Sequence, residues 1–137
     1  MEIYSPEDLP LELPSPVVTL GNFDGLHLGH RVLLSESLRL AHEIQGTPMV
    51  VTFEPHPRKI LRPQAPLKLL TTFEERLTLI KEFGIKAVLI IPFTKKLAEL
   101  PAEEFLEEYL LYGLRIRGLV WGLIIVSERK EKEIPNS

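Results

Sequence analysis

Residues 17 to 30 read VVTLGNFDGLHLGH, and the reading of this stretch decides the fold. The run PVVTL at 16 to 20 is short, apolar and β-branched, bounded by Pro14, Pro16 and Gly21, which predicts a buried strand. From Leu28 to Ile44 the apolar residues Leu28, Val32, Leu33, Leu38, Leu40, Ala41 and Ile44 recur at roughly helical spacing among Arg31, Glu36, Arg39 and Glu43. That pattern predicts an amphipathic helix stopped near Gly46 and Pro48. A glycine-bracketed turn therefore leads from a strand into a helix, and His27 and His30 sit three residues apart at the helix start, where they can share one face. The start of a helix points unpaired N–H groups and the positive end of its dipole outward, which suits an anion. Glycines at 21, 25 and 29 let the backbone approach a ligand where a Cβ would obstruct it. Both histidines can then aim donors at one phosphate chain.

The units that follow repeat the alternation. MVVTF at 49 to 53 predicts a second strand, and EPHPRKILRPQAP a loop whose prolines exclude regular structure. Thr72 to Glu75 spells T-x-x-E, a capping box, before a helix whose Phe73, Leu77, Ile80 and Phe83 can face a core and which Gly84 stops. KAVLIIPF at 86 to 93 predicts the third strand. Pro101 suits the first turn of a helix carrying Phe105, Leu106, Tyr109 and Leu110, and LRIRGLVWG predicts the fourth strand. Apolar strands separated by helices imply a parallel sheet covered on both faces, because parallel strands need crossover connections. The expected fold class is α/β, a Rossmann-like three-layer α/β/α domain with a mainly parallel sheet, in which His27, His30 and His56 converge at the carboxyl ends of strands. His42, in mid-helix, is expected on the surface, and Trp121 in the core.

Composition narrows the function classes. With 137 residues, 45% hydrophobic and 26% charged, the chain is that of one globular domain. A net charge of -3 gives no general pull toward nucleic acid, so an anionic ligand needs a local arrangement. The absence of cysteine excludes disulfides and thiolate metal sites, and the acidic, Pro-broken start MEIYSPEDLPLELP is unlike a signal peptide. With apolar runs far shorter than a bilayer span, the expected location is cytoplasmic, with no membrane or nucleic-acid partner.

GNFDGLHLGH together with TFEPHP resembles the FMN adenylyltransferase (FAD synthetase) domain of bacterial bifunctional riboflavin kinase/FAD synthetases, within the HxGH nucleotidyltransferase superfamily. The resemblance continues through LKLLTTFEERLTLIKEFGIKAVLIIPF and LAELPAEEFLEEYL to GLVWG, about residues 15 to 122. It implies transfer of AMP from ATP to FMN, giving FAD and pyrophosphate with magnesium (Mg). It implies that Gly21, Asn22, Phe23, Asp24, Gly25 and Gly29 lie on the ATP side, with Asp24 fixing the turn and no residue assigned to metal. His27 and His30 become the catalytic donors to the ATP phosphates, and Thr52, His56 and Pro57 lie on the phosphate or flavin side. A phosphate monoester with a second pKa near 6 is largely dianionic at neutral pH, so the FMN phosphate can attack without a general base. Positioning and charge stabilisation then carry the catalysis. Two other readings of the residues stay open: an HxGH adenylyltransferase with another acceptor, against which TFEPHP argues, and a silent or metal-binding fragment using Asp24, His27, His30 and His56.

The resemblance divides the chain into an incomplete nucleotide-binding domain at 1 to 122 and a tail at 123 to 137, expected to be aberrant or disordered. Nothing in these residues corresponds to the family's riboflavin kinase domain, so riboflavin phosphorylation is not expected. In the family, the strand resembling GLVWG runs into a G-x-D-F/Y-R-F-G-x-x-R-x-G-D/N segment lining the active site, whereas this chain reads LIIVSERKEKEIPNS. Read from the third base of each codon, the same stretch can spell G-F-D-Y-R-F-G-K-K-R-K-G-D. A one-base deletion near codon 120 is the expected source of the tail, and a chain carrying it is expected to be nearly inactive.

Overall fold

The computed structural model describes residues 1–24, 28–64, 69, 71–121 and 124–127. Six strands form one sheet: β1 (Glu2–Tyr4), β2 (Pro16–Leu20), β3 (Thr47–Phe53), β4 (Ala87–Ile91), β5 (Gly118–Trp121) and β6 (Ile124–Ser127). Their spatial order is β1-β4-β3-β2-β5-β6, parallel throughout except that β6 runs antiparallel to β5. The helices are α1 (Leu28–Glu43), α2 (Pro57–Leu61), α3 (Phe73–Phe83), α4 (Lys95–Glu99) and α5 (Ala102–Phe105), the last continuing as a π-helix over Leu106–Gly113.

Side-chain alternation along the strands builds two cores. Val18, Met49, Val51, Leu89 and Leu119 face one way and pack with Leu110 and Leu114 from the α5 side, with Phe105 and Tyr109 closing over them. Val50 and Val88 face the other way and pack with Leu34 of α1 and Ile80 of α3. The sheet is thus the middle of three layers, as the alternation of apolar strands and helices predicts. From β2 the chain builds outward through β3 to β4, then returns to place β5 on the other flank of β2. Such a reversal opens a crevice beyond the carboxyl ends of the strands, next to β2.

Local chemistry sets several boundaries. The Thr72 hydroxyl accepts from the Glu75 N–H at 3.1 Å while the Glu75 carboxylate accepts from the Thr72 N–H at 2.7 Å, closing the expected capping box. Gly84, at φ +120°, ends α3 in a conformation that L side chains rarely adopt.

Other elements depart from expectation. The stretch after β3 is not wholly loop, because α2 begins at Pro57, where the missing N–H costs nothing, and His56 caps it. Pro101 is the cap of α5 rather than part of its first turn. In α1 the buried positions are Leu34, Ser37 and Ala41, while Leu28 and Val32 are exposed. Trp121, expected in the core, is 49% exposed at the carboxyl end of β5. β1 was not legible, and β6 lies inside the 123 to 137 stretch in which no regular element is expected; it pairs Trp121 with Ile124 and Gly118 with Ser127. No helix among the described residues is long and apolar enough to cross a membrane.

Gly46 lies between α1 and β3, where an added Cβ would stand 2.2 Å from the Ser15 carbonyl oxygen, a backbone atom. Gly46→Ala is expected to destabilise the fold by about 2 kcal/mol, the usual cost of an overpacked site, as measured by urea unfolding.

Candidate functional site

Beyond β2 the ladder with β3 continues by one bond, from the Gly21 N–H to the Val51 carbonyl at 3.1 Å. The chain then turns sharply. Phe23 adopts φ +58°, a region uncommon for a bulky residue, and its ring is 2% exposed in the core between α1 and α3. Gly21 makes room for that ring, since a Cβ there would come within 3.1 Å of Phe23 Cζ. On its other side the ring meets His30 edge-on, with centroids 5.1 Å apart at 66°. The His30 ring is therefore positioned by a core aromatic rather than left to swing at the helix start.

Asp24 anchors the far side of the turn. Its Oδ1 accepts both the Thr71 N–H and the Thr71 hydroxyl, each at 2.9 Å, across 47 residues of sequence. One turn into α3 stands Arg76, 2% exposed. Its Nη1 donates to the Asn22 carbonyl at 3.1 Å and its Nη2 to Glu54 Oε2 at 3.2 Å, and its guanidinium lies 5.3 Å from the centre of the Phe73 ring. A charge so buried is tolerable only when paired and hydrogen-bonded, so these partners are a condition of the fold.

After β3 the Glu54 N–H donates to the Ile91 carbonyl at 3.2 Å, and His56 caps α2 by accepting the Arg58 N–H on Nδ1 at 3.1 Å. That bond places the imidazole proton on Nε2, making His56 a neutral donor through its outer nitrogen. Burial is the first cause that holds its pKa below the ordinary 6.5, followed by the positive charges of Arg76 and Arg58, with Asp24 opposing. His56 thus senses both Asp24 and Arg76, so the segments after β2 and β3 share one electrostatic environment.

Arg76 joins Asn22 to Glu54, two residues before His56, while Asp24 ties the same turn to Thr71 and His30 meets that turn through Phe23. Gly29 is exposed in the first turn of α1, Pro57 opens α2, and Thr52 is buried within β3 beside Ile90. Gly25 and His27 lie outside the described residues. Among the described residues no group of three His, Cys, Asp or Glu side chains could hold a metal. Asp24 and Glu54 already serve Thr71 and Arg76, so this donor set does not form a protein-held magnesium cage; magnesium is usually held by one or two carboxylates plus substrate phosphates. Sequence reasoning missed Arg76, Glu54 and Thr71. The available signal was a charged residue at 76 on the 73-77-80 stripe of α3 that should face the core.

Comparison with protein families matches the FAD synthetase family over residues 10–125. The chain belongs to the FAD synthetase family. Similar proteins include the bifunctional riboflavin kinase/FMN adenylyltransferase of Bacillus subtilis (strain 168), 33% identical over 112 residues, which are 81% of this chain and 35% of that protein. The protein of the same name from Escherichia coli (strain K12) is 35% identical over 106 residues, 77% of this chain and 34% of that one. The chain spans about a third of the length of the curated relatives it matches. Among solved structures, a macrolide-efflux protein from Streptococcus pneumoniae superposes with a TM-score of 0.74 at 26% identity, covering 88% of this chain and 41% of that one.

Two outcomes test the geometry of this FAD synthetase domain. Asp24→Ala leaves the Thr71 donors without their charged acceptor and is expected to cost about 2 kcal/mol in urea unfolding, whereas Asp24→Asn, which keeps an acceptor oxygen, should cost less than about 1 kcal/mol. His56 should titrate by NMR with a midpoint below 6.5. Because its folded pKa is depressed, the stability contributed by the neutral ring is fully present above 6.5 and is lost as pH falls through the folded value. A midpoint at or above 6.5 would contradict the assigned environment.

Proposed function

We propose that this domain builds the ATP side of an FMN adenylyltransferase site: an oxygen of the FMN phosphate bonds to the α-phosphorus of ATP, the bond to the β-phosphate oxygen breaks, and pyrophosphate leaves with the electron pair. The observation that carries the reading is the family match over residues 10–125, which spans both the turn after β2 and the His56 segment after β3. The geometry supports it, because Arg76 bonds to both segments at the carboxyl ends of adjacent strands. The neutral Nε2–H of His56 suits donation to a phosphate oxygen, and the His30 ring, backed by Phe23, stands at the start of α1 as a second donor. His27 is its expected companion. None of these three histidines is required as a base, since the attacking phosphate is already ionised. Magnesium, when bound, neutralises phosphate charge, and in this reading it arrives on the ATP phosphates. We assign the site to the cytoplasm, where both substrates are at hand, and to small-molecule partners alone.

In the same reading, residues 1 to 122 are an incomplete nucleotide-binding domain and Leu123–Ser137 is the product of a one-base deletion near codon 120. Resequencing the gene is expected to restore a frame reading G-F-D-Y-R-F-G; a verified 137-residue product with full FAD synthesis would contradict this. For the restored-frame product, conversion of FMN and ATP to FAD, followed by mass-checked chromatography, should fall roughly a hundredfold in His30→Ala, the loss expected for one preorganised transition-state donor. An unchanged rate, or AMP transfer only to a different phosphorylated acceptor, would overturn the proposal.

A further inference from the structure

Arg76, the buried member of its ion pair with Glu54, does more than balance a charge. The Gly21–Val51 bond is the last backbone link between the turn after β2 and the chain after β3. Past it the two diverge, the first toward α1 and the second toward β4 through the Glu54–Ile91 bond. Among the described residues, the hydrogen bonds that rejoin them run through a single guanidinium, with Nη1 on Asn22 and Nη2 on Glu54. The fork itself is held rigidly: α3 begins at the capping box, the Arg76 N–H donates to the Thr72 carbonyl at 3.0 Å, and the Phe73 ring lies against the guanidinium. Thr71, just ahead of α3, grips the same turn through Asp24. The N-terminal end of α3 therefore holds the turn at two points and the His56 segment at one.

We propose that Arg76 is a positioning residue that locks the turn after β2 and the segment after β3 into one register, so that a phosphate chain held by the first faces an acceptor phosphate held by the second. This rests on the adenylyltransferase reading. In-line transfer needs the attacking oxygen about 3–3.5 Å from phosphorus, and a misplacement of about 1 Å can cost on the order of a hundredfold in rate. Lysine cannot replace the fork, because an ammonium is a point charge that does not span two acceptors set apart in a plane. Loss of the lock should therefore lower kcat more than it raises the KM for ATP.

The test uses the isotope-labelled 137-residue chain with magnesium and millimolar ATP, observed through its backbone amides. In the unmodified chain ATP is expected to shift the amides of 21–24 and also those of Glu54, His56 and Arg58, the residues of that segment that carry an N–H. In Arg76→Lys it should shift the first group alone. Glu54→Gln, which alters a half-exposed side chain and leaves Arg76 in place, is expected to weaken the transmission in the same sense, and it decides the matter should Arg76→Lys fail to fold. Equal responses of both groups in the variants would overturn the inference while leaving ATP binding intact. No response in either the unmodified chain or the restored-frame product would remove the adenylyltransferase reading and the inference with it. In the restored-frame product, Arg76→Lys should lower kcat at least about tenfold with the KM for ATP within about threefold; a raised KM with unchanged kcat would contradict a positioning role.

Discussion

A single buried guanidinium organises the carboxyl edge of this sheet. Arg76 exchanges hydration for one carbonyl, one carboxylate and one aromatic face, and none of the three is near it in sequence except Phe73. Removing water from a cation is costly, and the cost is offset only while both acceptors stay in place. The requirement runs in both directions: the turn after β2 and the segment after β3 settle the charge, and the charge fixes them relative to each other. The capping box, the Glu54 bond to β4 and the Thr71 grip on Asp24 all serve to keep that geometry available.

Core packing reaches the site by a second route. Phe23 lies at the floor of the turn in a backbone conformation that few bulky residues adopt, and its burial among Leu34, Val50 and Ile80 compensates for that strain. Since the same ring meets His30, the hydrophobic effect that assembles α1 and α3 on the sheet also sets the orientation of a polar ring at its edge.

Most of the scaffold was legible because its signals are local. β2 is bounded by prolines and a glycine, α3 carries its own cap and stop, and the apolar runs of β3 and β4 admit few other readings. What sequence reasoning missed depends on distant partners. β1 is three residues long and becomes a strand only by pairing with β4. α2 was hidden by prolines that discourage helices in general but are harmless at a first position, and by a histidine whose capping role shows only in the folded chain. Arg76 and Glu54 are 22 residues apart and Asp24 and Thr71 are 47 apart, so no window reveals either pair. The glycines and histidines that announced the site were readable as a motif, whereas the groups that hold the motif in place were not.

The central claim is that the segments after β2 and β3 form one nucleotide site through Arg76. A crystal structure of the chain with a non-hydrolysable ATP analogue tests it most directly. The account predicts a triphosphate bound at the start of α1, with the His56 segment facing it across the site and the Arg76 fork intact. A triphosphate bound elsewhere on the sheet, or bound at the turn with the His56 segment swung away from it, would contradict the account.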